Sequence, residues 1–382
     1  MIQRTAESEL RALASQYKAV AVVGPRQSGK TTLVRWVFKD KPYINLENPD
    51  TRLFATDDPR AFLSNYPNGA ILDEAQRVPE LFSYLQQILD ESATLGLFII
   101  TGSNNFLLQE NISQSLAGRI GYLNLLPLSI DEIDNVSLTP DTLMFNGGYP
   151  IIYNQQIEVS KWYSNYIRTY VERDVRLLKN ISNLNTFEKF LRLCAGRVGQ
   201  LLNMSNLAIE TGVDVKTISA WISVLETSFL VFKLQPYHEN HNKRVVKMPK
   251  LYFYDTGLAM ALLGFENENH LNLHPYRGQI FENMIILEFL KKRFNKGKSN
   301  NLYFWRDNVG NEVDLIIADG STITPVEIKS GQTITNDYFK GIQYWNKISK
   351  TEGGYVIYGG NTEQVRGNGI HIMPYNQIKK VY

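Results

Sequence analysis

The sequence predicts an α/β fold, because alternating strands and helices occupy both ends of the chain. Between residues 19 and 130, short apolar runs alternate with helical stretches, as in a buried parallel sheet with helical connections. From about 155 to 235 the pattern is almost entirely helical. Beyond Lys250 strand-like runs return, and a helical stretch follows at Tyr338–Ser349. We expect a parallel-sheet domain, a helical middle and a smaller α/β domain.

These two changes of pattern divide the chain into three predicted domains, 1–145, 146–248 and 249–382. The length of 382 residues suits two or three domains, because single cores rarely grow beyond about 250–300 residues. The whole chain has 40 basic and 38 acidic residues, yet residues 146–250 carry 14 and 8, a net charge of +6. That charge would attract an anionic partner, and solvated helix faces explain it equally well.

Composition excludes several classes of protein. The single cysteine, Cys194, excludes a disulfide framework and a cysteine-rich zinc site, and it is typical of a reducing compartment. The first residues lack the basic-then-apolar pattern of a signal peptide, and no apolar run approaches the roughly 20 residues of a membrane span. We therefore expect a soluble cytoplasmic protein without a membrane partner.

The strongest motif is the sequence GPRQSGKTT, which begins at Gly24. It follows the apolar run Ala19–Val23 and precedes a helical stretch, as the phosphate-loop pattern G-x-x-x-x-G-K-[ST] requires. Loop amides and the helix N-terminus attract β- and γ-phosphates, Lys30 adds a full charge, and the Thr31 hydroxyl is placed to ligate Mg²⁺. The predicted nucleotide-binding residues are Gly24, Pro25, Arg26, Gln27, Ser28, Gly29, Lys30, Thr31 and Thr32.

A second apolar run, Ala70–Leu72, ends in two adjacent carboxylates, Asp73 and Glu74. In an open parallel sheet, the carboxyl ends of the strands face the ligand crevice. We therefore predict that Asp73 holds Mg²⁺ and that Glu74 is the general base that orients the attacking water. A strand leading into a helix cap would give the same pair of residues.

Two further polar residues are candidates for catalysis. Asn104 follows the apolar run Leu97–Thr101 and could bond the γ-phosphate or the lytic water, although a polar turn explains it equally well. Arg119, in SLAGRI, could reach a γ-phosphate as an arginine finger, in its own chain or in a neighbouring subunit. A surface arginine near a helix end is the alternative for Arg119.

These motifs resemble those of prokaryotic AAA-type ATPases of the archaeal-ATPase-like group, which are commonly fused to a C-terminal domain of unknown function. The resemblance covers nearly the whole chain. It rests on GPRQSGKTT, ILDEAQRVPELF, TGSN, SLAGRI, YVERDV, PKLYFYDTGLA, GQIFENMI, EVDLII and VEIKSG, in that order. The resemblance implies that the protein binds and hydrolyses ATP. Mg²⁺ is the metal predicted from Thr31 and Asp73.

The helical middle contains a helix–turn–helix pattern, with Gly212 in the turn and Asp214 as the predicted N-cap of the second helix. Apolar residues recur at helical spacing and should pack inward: Ile218, Trp221, Ile222 and Leu225. The residues left outward are of types that contact phosphates and base edges: Lys216, Thr217, Ser219 and Ser223. The resemblance also implies a winged helix. DNA contact and a purely packing or protein-binding role both remain open.

The last third predicts a second metal site on a hairpin with an Asp-Gly turn. Strand alternation puts Glu327 and Lys329 on one face, and a suitable register would bring Asp314 opposite Glu327. Glu282, on an apolar helical stretch, could add a third carboxylate. Such a cluster could hold Mg²⁺, with Lys329 positioning the nucleophile.

Asp…Glu-x-Lys after a helical Glu resembles the core of the PD-(D/E)xK phosphodiesterase superfamily, although the proline of that motif is absent before Asp314. The resemblance implies a restriction-endonuclease-like domain in which Glu282, Asp314 and Glu327 are metal ligands and Lys329 is catalytic. An exposed Glu-x-Lys pair on an edge strand is the alternative.

Together these patterns predict an ATPase whose nucleotide state controls a winged-helix and a nuclease-like domain acting on DNA or RNA. A homo-oligomer is compatible with this prediction. The alternative, from a different functional class, is an ATP-dependent switch that binds DNA or a protein partner and cuts nothing.

Overall fold

The computed structural model describes residues 2–103, 112, 115–133, 138–170, 183–238 and 246–381, which form two compact units. The first unit contains Met1–Leu128 with two short pieces, Thr227–Phe229 and Arg293–Ser299. The second contains Ser129–Glu226, Leu230–Lys292 and Asn300–Tyr382. Among the described residues, no helix combines the length and the apolar character that crossing a bilayer requires.

A five-stranded parallel sheet forms the centre of the first unit. Its strands are β1 (Ala19–Val23), β2 (Tyr43–Asn45), β3 (Ile71–Asp73), β4 (Phe98–Gly102) and β5 (Ile120–Asn124). They lie in the order β2-β3-β4-β1-β5, and each neighbouring pair is parallel. The predicted parallel α/β sheet is confirmed, and β1 and β4 are buried along their whole length, as their apolar sequences predict.

One α-helix precedes these strands and four lie between them in the described part of the chain. They are α1 (Glu7–Ala14), before β1, and α2 (Lys30–Val37), α3 (Pro49–Asp57), α4 (Pro59–Ser64) and α5 (Leu81–Glu91). α3 and α4 each begin with proline, after Asn48 and Asp58, whose side chains accept amide hydrogen bonds from the first turn. Leu10 of α1 and Leu33 of α2 are buried with Val20 of β1 in one hydrophobic cluster.

The second unit begins with a helical region, as the sequence predicts. The described helices are α6 (Pro140–Asn146), α7 (Pro150–Asn154), α8 (Val159–Tyr170), α9 (Leu184–Ala195), α10 (Met204–Thr211), α11 (Val215–Thr227), α12 (Thr256–Leu262), α13 (Arg277–Phe294) and α14 (Lys340–Ser349). Cys194 is buried in α9.

An eight-stranded mixed sheet completes the second unit. Its strands are β6 (Val231–Pro236), β7 (Lys250–Phe253), β8 (Leu302–Arg306), β9 (Glu312–Asp319), β10 (Thr322–Lys329), β11 (Gly354–Tyr358), β12 (Gln364–Val365) and β13 (Ile370–Pro374). Their order is β12-β13-β11-β10-β9-β8-β6-β7. β6 pairs with both β7 and β8, so this sheet crosses the predicted boundary near residue 248. The division into three domains stays a prediction.

Candidate functional site

The predicted phosphate loop joins β1 to α2. Gly29 precedes the first helical residue and has a φ of 93°, in the left-handed region that favours glycine. Gly24 lies so close to the chain after β5 that a Cβ atom there would be 2.1 Å from the Leu125 carbonyl oxygen. The loop is therefore held at the carboxyl edge of the sheet, where α2 presents its unpaired first amides.

Lys30 folds back onto its own loop. Its ammonium donates to the carbonyl oxygens of Gly24, at 2.9 Å, and Pro25, at 2.7 Å. Burial lowers the pKa of Lys30 to about 8, although the nearby carboxylates of Glu74 and Asp73 oppose this shift. A phosphate in the loop would therefore supply negative charge to an ammonium that is now buried among carbonyl oxygens.

Asp73, at the end of β3, accepts hydrogen bonds from three hydroxyl groups. Tyr43 donates from β2 at 2.5 Å, and Thr101 donates from β4. The Thr31 hydroxyl, in the first turn of α2, lies 3.1 Å from Asp73 Oδ2. Thr31 and Asp73 thus bring two hard oxygen donors together, and this donor set fits the Mg²⁺ that accompanies a nucleotide.

Glu74 has a left-handed backbone conformation, with a φ of 56°, which is uncommon for a residue other than glycine. Gln76 Nε2 donates to its carboxylate Oε2 at 2.5 Å, and Ser103 Oγ donates to the same oxygen at 3.0 Å. Ser103 directly follows β4, so residues beyond two neighbouring strands meet at Glu74. A carboxylate fixed at this edge is suitably placed to orient a water molecule.

The other residues of the loop differ in exposure. Pro25 and Ser28 are buried, and Ser28 Oγ has no hydrogen-bond partner within the described part of the chain. Gln27 and Thr32 are exposed. Their contacts with a nucleotide, and that of Arg26, remain predictions.

Arg119 lies at the amino ends of the strands, whereas the phosphate loop lies at their carboxyl ends. It immediately precedes Ile120, which pairs with Ala19, the first residue of β1, whereas the loop follows the last residue of that strand. Its guanidinium pairs with Asp90, the penultimate residue of α5. The structure therefore does not bring Arg119 to the phosphate loop of its own chain. Asn104 lies outside the described residues.

Four residues that donate hydrogen bonds to the carboxylates of Asp73 and Glu74 were not identified from the sequence. They are Tyr43, Gln76, Thr101 and Ser103. The available signal was a polar side chain at the end of an apolar run, which Thr101 and Ser103 share with Asp73. Tyr43 opens its strand and carries no such signal.

In the second unit, the β9–β10 hairpin gathers Asp314, Glu327 and Lys329. Val326 pairs with Leu315, so the next position along β10 brings Glu327 beside Asp314. Lys329 Nζ donates to Glu327 Oε1 at 2.6 Å and lies 3.4 Å from Asp314 Oδ2. These three side chains therefore share one face of the hairpin, in the register that the sequence analysis considered.

The Glu327 carboxyl group is buried and only partly satisfied. Burial raises the pKa of Glu327 to about 8, the charge of Asp314 adds to this shift, and Lys329 opposes it. Its Oε2 atom has no hydrogen-bond partner in the described residues. A buried oxygen without a partner fits a cation ligand, because Mg²⁺ is often held by one or two protein carboxylates with waters and phosphate oxygens.

Glu282 pairs with a lysine, and its role as a metal ligand beside Asp314 and Glu327 stays a prediction. Burial raises the pKa of Glu282, and the nearby charge of Asp314 adds to this shift, so the two carboxylates lie near each other. Lys250 on β7 donates to Glu282 at 3.0 Å and also pairs with Glu312, and it is only 3% exposed. In the described ranges, no three His, Cys, Asp or Glu side chains are arranged to hold one metal ion. The ammonium of Lys250 already compensates the Glu282 charge.

The helix–turn–helix pattern forms α10 and α11. Asp214 accepts the Thr217 amide at 2.9 Å, which confirms it as an N-cap. The predicted apolar face is buried: Ile218, Trp221, Ile222 and Leu225. On the other face Lys216, Ser219 and Ser223 are exposed, whereas Thr217 is half-buried and bonds to Asp214.

Models of known protein families match successive parts of this chain. An AAA domain matches residues 16–134, and two domains of unknown function, DUF8612 and DUF4143, match residues 139–269 and 277–378. The uncharacterized protein Rv2008c of Mycobacterium tuberculosis is 33% identical over 337 residues, which are 87% of this chain and 74% of that relative. The chain belongs to the family of Rv2008c.

More distant similarity reaches the uncharacterized protein MJ1544 of Methanocaldococcus jannaschii, which is 25% identical over 338 residues, 78% of this chain and 72% of that relative. Among solved structures, the Walker-type ATPase paby2304 of Pyrococcus abyssi has a TM-score of 0.48 and 15% identity, over 69% of this chain and 96% of that one. A TM-score of this size does not establish a common fold.

In this member of the family, residues 16–134 are an AAA-type P-loop ATPase domain that contains the phosphate loop, Asp73 and Glu74. The DUF4143 match contains Glu282, Asp314, Glu327 and Lys329, and its description assigns no activity.

Proposed function

We propose that the protein binds ATP with Mg²⁺ at the phosphate loop and hydrolyses it. The proposal is carried by the approach of Thr31 to Asp73, 3.1 Å apart, within an AAA-type domain. The loop Gly24–Thr32 would hold the triphosphate, and Thr31 and Asp73 would hold the metal. Bound Mg²⁺ would neutralise charge on the β- and γ-phosphates.

Lys30 and Glu74 have different tasks in this proposal. Lys30 leaves the carbonyl oxygens of Gly24 and Pro25 and pairs with phosphate oxygens, which offsets the cost of its burial. Glu74 orients the attacking water and accepts its proton while Gln76 and Ser103 hold its carboxylate. The tasks are separable, because one side chain binds the nucleotide and the other acts on water.

ATP binding and hydrolysis by wild type, Lys30→Ala and Glu74→Gln test the proposal. Lys30→Ala should lose ATP affinity, and Glu74→Gln should bind ATP while losing most turnover. Lys39→Ala, which removes an exposed lysine that lies over Trp36, is the matched control. A folded wild-type protein without affinity for any nucleoside triphosphate would refute the proposal.

We further propose that the nucleotide state controls the second unit, in which α10 and α11 form a winged helix and the hairpin cluster acts on DNA or RNA. Two observations support this. One is the exposed polar face of α11. The other is the Glu327 Oε2 atom beside Asp314 and Lys329, which has no hydrogen-bond partner among the residues that the structure describes. The ion pair between Lys250 and Glu282 supports the alternative, a switch that binds nucleic acid or protein without cutting it.

Cleavage assays with Mg²⁺ or Mn²⁺ on DNA and RNA separate these two functions. A nuclease loses cleavage in Asp314→Asn while ATP turnover stays unchanged. A non-cleaving switch shows ATP-dependent binding that is equal in wild type and Asp314→Asn. Binding that weakens steeply with salt indicates nucleic acid, and binding that is insensitive to salt indicates a protein partner.

A further inference from the structure

We infer that Arg4 is a positioning residue for the phosphate loop. The inference rests on the proposed ATP site and adds to it a residue far outside the motif. Arg4 lies just before α1 and is 7% exposed. Its guanidinium donates two 2.7 Å hydrogen bonds, one to the Ser28 carbonyl oxygen in the loop and one to the Leu126 carbonyl oxygen after β5.

The bond to Ser28 determines where one loop amide points. In a trans peptide, the carbonyl oxygen and the next N–H lie on opposite sides of the bond, and no described peptide bond is cis. The Ser28 oxygen points to Arg4, so the Gly29 N–H is directed away from Arg4. An anion bound in the loop would accept a hydrogen bond from that N–H. Phosphate sites built from successive backbone amides require such donors.

The bond to Leu126 ties the loop to the sheet. Leu125, the preceding residue, makes the close contact with Gly24 described above. Its amide donates a hydrogen bond to the carbonyl oxygen of Val23, at the end of β1. The loop is therefore in contact with the chain after β5 at Gly24 and is joined to it again through Arg4 at Ser28. One planar guanidinium can serve both carbonyl oxygens, because its donors form a rigid fork.

Arg4 is itself held in place. The Glu7 amide bonds to the Arg4 carbonyl oxygen at 3.1 Å, and Asn295 donates to the hydroxyl of the adjacent Thr5 at 2.6 Å. Ala6 and Leu10 are buried in the hydrophobic cluster of the sheet. The residues that follow Arg4 are thus anchored, and its guanidinium joins the phosphate loop to this anchored segment.

The test measures ATP affinity and steady-state kinetics for Arg4→Met, Arg4→Lys and the control Arg11→Met. Methionine keeps the apolar stem and removes both donors, whereas lysine keeps one charged donor. Arg11 lies on α1, is largely exposed and pairs with Glu7. We expect Arg4→Met to weaken ATP binding about tenfold or more, because the Gly29 N–H is no longer held toward the anion, and Arg4→Lys to recover part of that loss.

Calorimetric titration with ATP·Mg²⁺, at a temperature where every variant is folded, distinguishes positioning from simple stabilisation. A lower melting temperature with unchanged ATP affinity in Arg4→Met would overturn the inference. If Arg4→Met does not fold, Arg4→Lys decides: weaker ATP binding supports the inference, and wild-type affinity overturns it. A wild type that binds no ATP refutes the proposed function itself, and Lys30→Ala, run in parallel, identifies that failure.

Discussion

The Tyr43 hydroxyl donates a 2.5 Å hydrogen bond to the Asp73 carboxylate from the neighbouring parallel strand. Burial, together with this bond to Asp73, raises the pKa of Tyr43 above its ordinary range, so Tyr43 remains a donor. Thr101 donates to the same carboxylate from the strand on the other side. Asp73 is thus restrained by both neighbours of β3.

Replacing Tyr43 by phenylalanine should weaken the use of Mg²⁺, because Asp73 loses one of its two strand-borne restraints. We expect Tyr43→Phe to raise the Mg²⁺ concentration for half-maximal ATP turnover by about threefold to tenfold, the value of one hydrogen bond. Tyr84→Phe on α5 is the control. An unchanged Mg²⁺ requirement would show that Thr101 and Thr31 suffice to orient Asp73.

Replacing Ser103 by alanine should slow hydrolysis while leaving ATP binding intact. Ser103 touches Glu74 and not the phosphate loop in the described hydrogen bonds, so its loss should affect water orientation. We expect Ser103→Ala to lower kcat by about threefold to tenfold with little change in KM. Ser83→Ala on α5 is the control, and an increase in KM alone would contradict this assignment.

Arg119 can act only on a neighbouring copy if it acts as an arginine finger, because it lies at the amino ends of the strands, opposite its own phosphate loop. Lys30→Ala keeps Arg119 but loses the ATP-binding site. Arg119→Ala keeps the ATP-binding site but loses the arginine finger. We expect each variant alone to be inactive and their mixture to regain ATP turnover. Arg77→Ala is the control, and a mixture without activity would leave Arg119 as a surface partner of Asp90.

Asp214 and Asp255 both cap helices, yet they should respond oppositely to pH. Burial raises the pKa of Asp255, although bonds from Tyr163, Gly148 and Leu258 oppose the shift. The bonds from Thr217 lower the pKa of the exposed Asp214. By linkage, the contribution of Asp255 to stability is complete below its ordinary value of 3.8 and is lost as pH rises. That of Asp214 is present above 3.8 and is lost as pH falls.

Melting temperatures of Asp255→Asn and Asp214→Asn against wild type, from about pH 3 to pH 8, test this contrast. The destabilisation by Asp255→Asn should be largest in acid and should shrink toward neutral pH. The destabilisation by Asp214→Asn should grow toward neutral pH. Two curves with the same slope would contradict the assignment.

The sequence predicted those parts of the sites that depend only on residues adjacent in the chain. The phosphate loop and Glu74 directly follow apolar strands, and Asp73 is the last residue of one, so their position at the carboxyl ends of the strands could be inferred from neighbours in the chain. Asp314 and Glu327 could be paired because a tight turn sets the register of β9 and β10.

The rest depends on which distant segments pack together. Tyr43 and Thr101 meet Asp73 only because the strand order is β2-β3-β4, which no single strand encodes. Lys250 lies on a strand 32 residues before Glu282 in the chain, and these two residues were not paired from the sequence. Arg4 lies 24 positions before Ser28, the loop residue that it contacts, and no motif marks it.

The contact of Gly24 with Leu125 constrains the first position of the motif through the fold itself. A methyl group at Gly24 would collide with a backbone oxygen of the sheet whether or not a nucleotide is present. The first glycine of the motif is thus a requirement of folding as well as of recognition. A descendant of this chain that had lost all catalysis would still need it, so its retention alone is no sign of an active ATPase.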